Sequence, residues 1–347
     1  MSSQQPTWDE RIENLRANYA QLQTKIGMED VTRKLGDTAT EIAGLPGDIE
    51  QIRARGYAFA GYLERKVEVL AEQWADVRQQ VDRAVSEEIA RVQAAFEEIG
   101  TLWKKFEARG TGQGREIVAE QIERAIGELE SGAESARKRI EGMYGQVPQN
   151  VQQTKSQLAQ ITRYLAMVDE STASWNPTEA IVLAVEAEWV ASGKGKEDPD
   201  GVLFLTDQRL IFEQKEKVGG RFGFGGEKVQ EVLWHVPVGS ISEAVPEDKG
   251  LFGGKDLVHL KLNAGDYADI TVEVKSGGVD SKWYVQQLNR VISGEIERER
   301  AIPVDETLSE KVSSAPTACT TCGAVLPPLA RGMTEITCEY CGTVIRL

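Results

Sequence analysis

The chain has 347 residues, with 40 Lys and Arg against 55 Asp and Glu, a net charge of −15. At about 150 residues per domain that length implies two or three domains, and 41% hydrophobic residues supply a core for at least one of them. No apolar run approaches the roughly 20 residues of a membrane-spanning helix, and so large an acidic excess disfavours nucleic acid as a partner, because phosphate neutralisation needs Lys and Arg.

The opening Met1–Pro6 has neither the charged start nor the apolar stretch of an export signal, so a cytoplasmic location is expected. Trp8, Ile12, Leu15, Tyr19, Leu22 and Ile26 recur at alternating spacings of four and three, the period of a narrow helical stripe. After Gly27 a shorter stripe of Val31, Leu35, Ile42 and Leu45 runs up to Pro46-Gly47, which reads as a breaker pair. Residues 1–47 are therefore expected to be N-terminal amphipathic helices.

Asp48 is a plausible N-cap for a much longer pattern, from Leu63 and Val67 through Trp74, Val85 and Phe96 to Trp103 and Phe106. A helix of about 60 residues is about 90 Å long and cannot bury its own stripe. Arg109–Gly114 reads as a turn, and Val118, Ile122, Leu129, Ala133, Ile140 and Val147 form a returning stripe. Pro148 is expected to kink or break it before Leu158, Ile161, Leu165 and Val168 resume the period. Residues 48–170 thus read as a long antiparallel coiled-coil hairpin, with 8–45 folded against it or against a partner. An ordinary bundle of shorter helices is the alternative.

At Trp175-Asn176-Pro177 the period changes. Strands are expected around Val182–Val190, Val202–Thr206, Arg209–Phe212, Val229–Val236, Ser240–Val245, Leu257–Leu262 and Ala268–Val274, with a helix capped by Asp280 and faced by Trp283, Leu288, Val291 and Ile292. Short strands followed by one amphipathic helix describe a small barrel or sandwich closed by that helix, over residues 176–296. The polar stretch 297–316, with Pro303, Ser313, Ser314 and Pro316, reads as a flexible linker.

Residues 317–347 hold all four cysteines, as Cys319-Thr-Thr-Cys322-Gly323 and Cys338-Glu-Tyr-Cys341-Gly342. Two C-x-x-C-G elements at this separation fit the tetrahedral thiolate set of a structural Zn²⁺, each glycine serving a tight knuckle. Two disulfides or a redox dithiol are weaker alternatives for a chain without an export signal. Four protein ligands leave no open position for substrate, and only Arg331 and Arg346 are basic here, balanced by Glu335 and Glu339. A stabilising or protein-docking ribbon is favoured over a nucleic-acid reader.

Gly201-Val-Leu-Phe-Leu-Thr-Asp-Gln-Arg-Leu-Ile-Phe212 resembles the strand-turn-strand signature of GRAM and bacterial PH-like domains, over about 178–300. The terminal segment is similar to a zinc ribbon. The resemblance implies a multidomain α + β protein: a long N-terminal helical coiled-coil hairpin, a PH-like β-barrel capped by a C-terminal helix, and a small zinc ribbon. It also implies binding of anionic lipid or protein through loops rich in bases. Lys215, Lys217, Arg221 and Lys228, with Phe222 and Phe224, surround one glycine-rich loop, and Phe252 and Lys255 lie in or beside a second. Lys194 and Lys196 flank a third turn. The plainer reading is that these residues make soluble hairpins.

Catalytic signatures are missing. The segment Gly250–Lys255 lacks P-loop glycine spacing, and the two histidines, His235 and His259, fall in strand-like contexts. The expectation is a non-catalytic, cytoplasmic scaffold or adaptor that meets itself or a protein partner through its coiled coil. Peripheral contact with an anionic membrane is a further expectation, and a nucleic-acid-associated zinc-ribbon protein is the alternative.

Overall fold

The computed structural model describes residues 7–110, 112–193, 198–218, 227–249, 254–276 and 278–346. They form two compact units, Met1–Pro46 with Arg65–Lys155, and Gly47–Glu64 with Ser156–Leu347.

The first unit is helical: α1 (Trp8–Ile26), most of α2 (Glu29–Ala54), α3 (Tyr62–Ala108) from residue 65, α4 (Gln113–Tyr144), and the start of α5 (Gln146–Asp169). Thr7 opens α1 with a capping box, accepting from the Glu10 N–H while the Glu10 carboxylate accepts from the Thr7 N–H. Contacts between α4 and α3 or the residue that follows α3 pair Arg109 with Gly114, Glu88 with Arg139 and Trp74 with Tyr144. As the position on one helix falls, its partner on the other rises, so the two run antiparallel. The opposite trend joins α1 and α2 to α4: Arg11 meets Glu123, Lys25 meets Glu130 and Lys34 meets Glu141, a parallel arrangement. Residues 8–45 therefore fold against the returning arm.

The core of this unit is shared by three helices. Ile12, Leu15, Leu22 and Ile26 of α1 pack with Val92, Ile99 and Phe106 of α3 and with Val118, Ile122, Ile126 and Leu129 of α4. Burying one such side chain contributes about 1.5–3 kcal/mol, which is why α1 fills the seam between the longer helices. Tyr19 stacks on Phe96 and Trp103, with ring centroids 5.2 and 5.6 Å away. Gly100 leaves room for it, since a Cβ there would lie 3.0 Å from the Tyr19 hydroxyl.

One local break differs from the sequence reading. Pro46-Gly47 does not end a helix; Pro46 lies inside α2. Leu45, Ile49 and Ile52 are buried on either side of it, and that burial outweighs the lost N–H. The chain breaks later, at Gly56, whose φ of +85° suits a residue without Cβ. The Tyr57 N–H bonds to the Ile52 carbonyl and the Gly56 N–H to that of Arg53, a Schellman ending. The expected break at Pro148 does occur: α4 ends at Tyr144, four residues before it, and Pro148 sits in the first turn of α5, where its missing N–H costs no helical bond.

The second unit is built on seven antiparallel strands: β1 (Ile181–Trp189), β2 (Asp200–Thr206), β3 (Arg209–Val218), β4 (Glu227–Pro237), β5 (Ile241–Lys249), β6 (Lys255–Leu262) and β7 (Asp269–Val274). Their order is β4-β3-β2-β1-β7-β6-β5. Among the described residues no ladder joins β4 to β5, the two ends of that order. Val202, Leu203, Phe204 and Leu205 are all buried, as befits a strand near the middle of the sheet. Gly201 is required there, because a Cβ would fall 2.0 Å from the Glu213 carbonyl oxygen. Helix α6 (Ser281–Ile292) begins at the expected Asp280 cap, which accepts from the Trp283 N–H at 2.7 Å, and packs on β5 and β6.

The segment read as a linker is not featureless. A 3₁₀ turn covers Glu295–Glu299, and α7 spans Glu306–Ser314, opened by Asp305 accepting from the Thr307 and Leu308 N–H groups. Between them Ala301 donates its N–H to the Ala58 carbonyl at 2.7 Å, and Glu299 accepts from the Gly61 N–H at 2.7 Å. The strap 57–61 that follows α2 is thereby laid against the sheet. Tyr57 donates its hydroxyl to the Val182 carbonyl at 3.2 Å, and burial pushes that phenol above its usual range. Arg53 holds the strap from inside, donating to the Tyr57, Phe59 and Ala60 carbonyls and to the Glu64 carboxylate. The chain closes with the short hairpin β8 (Glu335–Thr337) and β9 (Val344–Arg346). No described helix is long and apolar enough to cross a membrane.

Candidate functional site

The four cysteines come together. Cys319 and Cys322 flank one tight turn, and Cys338 and Cys341 flank its counterpart before β9. The turns are built alike. Gly323 and Gly342 adopt φ of +74° and +72° and donate to the Cys319 and Cys338 carbonyls at 2.9 and 2.8 Å. Cys319 and Cys338 in turn donate to the Ala324 and Thr343 carbonyls. All four sulfurs lie within 4.8 Å of one another, and the pairs Cys319–Cys341 and Cys322–Cys338 are 3.6 Å apart.

That donor set fits a metal. Bonds of about 2.3 Å from a tetrahedral Zn²⁺ place thiolate sulfurs about 3.8 Å apart. Backbone N–H groups of Cys322 and Thr321 hold the Cys319 thiol down to about 6. Cys322 is pushed up to about 12: the Ala324 N–H favours its thiolate, but the Cys341 sulfur, burial and the Cys338 sulfur outweigh it. Four thiolates this close repel one another and become stable together only around a cation.

A second constellation sits at the β2–β3 turn. The Glu179 carboxylate is fully buried and accepts from Arg209 Nε at 2.9 Å, from the Thr206 hydroxyl at 2.8 Å and from the Asn176 N–H at 2.8 Å. Arg209 also reaches the Ser174 carbonyl at 2.6 Å. Asp207 accepts from the Ala180 N–H at 2.9 Å and from Arg300 at 2.6 Å, while the Arg300 guanidinium lies 4.6 Å from the centre of the Phe59 ring. Burial pushes the Asp207 carboxyl up, although the Ala180 N–H and Arg300 pull the other way. Thr206, Asp207, Gln208 and Arg209 are the polar residues of the signature at the turn, and Gln208 bonds to the Asn176 and Thr178 side chains. Each bonds to its own chain, so the motif ties strands, strap and C-terminal segment together.

The basic loop residues divide. Lys217 and Lys228 face each other in register across β3 and β4, both exposed and without an ion-pair partner among the described residues. Lys215, two residues before Lys217 on β3, is bound by Glu170 at 2.5 Å. Lys255 is on β6, separated from β3 in the sheet by β2, β1 and β7, and pairs with Glu273, which holds its ammonium pKa above the usual range. Arg221, Phe222, Phe224 and Phe252 lie outside the described residues, as do Lys194 and Lys196. Of the two histidines, His259 rests between the Thr271 hydroxyl and Glu247.

No protein-family model matches the chain, and no curated protein sequence does. Among solved structures it is similar to a pleckstrin homology domain from Shewanella amazonensis SB2B, at 18% identity over 33% of this chain and 86% of that one, with a TM-score of 0.22. The Vps36 N-terminal PH domain aligns at 15% identity over 37% of this chain and 92% of its own, with a TM-score of 0.24. A Vav1 structure aligns at 11% identity over 97% of each chain, with a TM-score of 0.27.

Sequence reasoning found the cysteines and missed the tie. Thr206, Asp207 and Arg209 were visible as a motif but carried no sign of their partners. Glu179 and Arg300 lie 27 residues before and 93 residues after those partners, and no spacing rule reaches so far.

Proposed function

We propose that this chain is a non-catalytic adaptor. Its seven-stranded, helix-capped module is PH-like and meets an anionic surface with the β3–β4 hairpin. The terminal knuckles are a structural Zn²⁺ ribbon held by Cys319, Cys322, Cys338 and Cys341, and the long helices assemble with a partner protein or a second copy. The observation that carries the reading is the Lys217–Lys228 pair. Like charges directly opposite on neighbouring strands destabilise a sheet unless an anion lies between them. In a chain of net charge −15, where Lys215 and Lys255 are already matched by carboxylates, this pair, unmatched among the described residues, is available to an external anion.

A binding role rather than a catalytic one is supported by what the buried charges do. Glu179, Arg209, Asp207 and Arg300 satisfy one another and hold the fold. The ion would supply folding free energy to a segment whose buried core is Cys319, Leu326, Ile336 and Cys338. The nucleic-acid alternative finds less support, because the guanidinium of Arg331, one of two bases in the ribbon, already donates to the Glu179 backbone carbonyl.

Flotation with phosphatidylserine vesicles tests the reading. The intact protein should float with anionic vesicles and remain behind with phosphatidylcholine alone, and Lys217→Glu with Lys228→Glu should abolish flotation. Equal behaviour of the double variant and the parent would remove the hairpin from the surface contact.

A further inference from the structure

Arg331 lies in the connection between the two cysteine knuckles, on a tight turn in which the Met333 N–H bonds to the Ala330 carbonyl and Gly332 takes φ of +83°. Its own N–H donates to the Trp175 carbonyl at 2.7 Å, and its guanidinium donates to the backbone carbonyl of Glu179. These are the hydrogen bonds that join residues 317–346 to the sheet among the described residues. Both acceptors are structurally important. The Trp175 ring meets the fully buried Phe204 edge-on at 5.4 Å, and the Glu179 carboxylate is the centre of the β2–β3 tie.

The rest of this junction is loosely packed. A groove of about 470 Å³ separates Asn176, Pro177 and Gln208 on the sheet side from Pro316, Leu326 and Pro328 on the other. An interior seam would be filled at close packing, with few voids larger than a water molecule. Among the described residues the hydrogen bonds of the attachment all come from this arginine, and on the structural-metal reading it is positioned by knuckles that fold with their ion.

We propose that the ribbon is a metal-dependent latch on the sheet module: with metal bound, Arg331 is presented to Trp175 and Glu179, and when the metal leaves, the contact opens and the β2–β3 tie loosens. The inference rests on the structural-metal reading above and adds to it that metal state is communicated to the sheet. Binding coupling is reciprocal, so an undocked ribbon should also hold its metal less tightly.

Hydrogen exchange of the full chain, with zinc content measured in parallel, separates the two ideas. The probes are the amides of Asn176, Ala180 and Arg209, which bond to Glu179, Asp207 and Thr206 side chains. Stripping zinc with a chelator should raise their exchange several-fold. Arg331→Ala, which keeps the backbone bond to Trp175 but loses the guanidinium bond to Glu179, still carrying one zinc per chain and with the Gly323 and Gly342 amides still protected, should raise it likewise, and should lose zinc to a competing chelator about fivefold or more readily. Unchanged exchange at these amides in zinc-loaded Arg331→Ala, or after verified stripping of the parent, overturns the latch and leaves the metal site standing. A chain that never holds zinc overturns the metal reading and the metal dependence together.

Discussion

Glu179 shows how one side chain can decide the stability of a module. Its carboxylate is inaccessible to water, and Arg209 beside it is only 13% exposed. Removing one partner of such a pair strands the other charge in a poorly solvated site, at a cost of about 3–5 kcal/mol. Glu179→Ala should lower the unfolding free energy of the sheet module by that amount, read from a denaturant titration, and Arg209→Met added to it should recover part of the loss. Additive losses in the double variant would show that the two side chains do not act as a pair.

At the scale of elements, the helices are aligned by charges at their surfaces and held by their seams. Arg11 grips Glu123 with two bonds of 2.6 and 2.7 Å across α1 and α4. The hydrogen bond from Arg11 keeps the Glu123 carboxyl below the ordinary carboxylate range. A carboxyl with a depressed folded value contributes stability that is complete above its unfolded value and lost as pH falls through the folded one. Carboxyl NMR should find Glu123 titrating low in the parent and near the ordinary value in Arg11→Met, with α1 loosening first as the solution is acidified.

Pro46 makes the complementary case for α2. Replacing it by Ala restores an N–H within a helix that already continues past it. A gain of about 1–3 kcal/mol is expected, reduced somewhat by the freer unfolded chain. A thermal melt that falls instead would mean that the helix uses the bend a proline provides.

For the molecule as a whole, the cysteine cluster makes a stoichiometric demand. The purified chain should carry one zinc ion, and Cys322→Ser should lose it along with the protection of the β8–β9 hairpin amides. Retention of metal by that variant would point to a ligand set other than the four sulfurs.

Local patterns were legible in the residues alone. The three-and-four spacing from Trp8 to Ile26 marked a helix, Asp280 marked a helix start, and the paired C-x-x-C-G elements marked a cluster, because each depends on neighbours a few positions away. Pro46 was misleading because a breaker acts only if nothing stronger opposes it, and burial of Leu45, Ile49 and Ile52 is a property of the folded chain. The tertiary structure alone decided that α1 shares the seam of α3 and α4, that Lys215 and Lys255 are neutralised while Lys217 and Lys228 have no ion-pair partner among the described residues, and that Asp207 meets Arg300. Those outcomes depend on charges and surfaces brought together from distant parts of the chain, where Coulombic attraction and apolar burial act through space and sequence spacing carries no record of them.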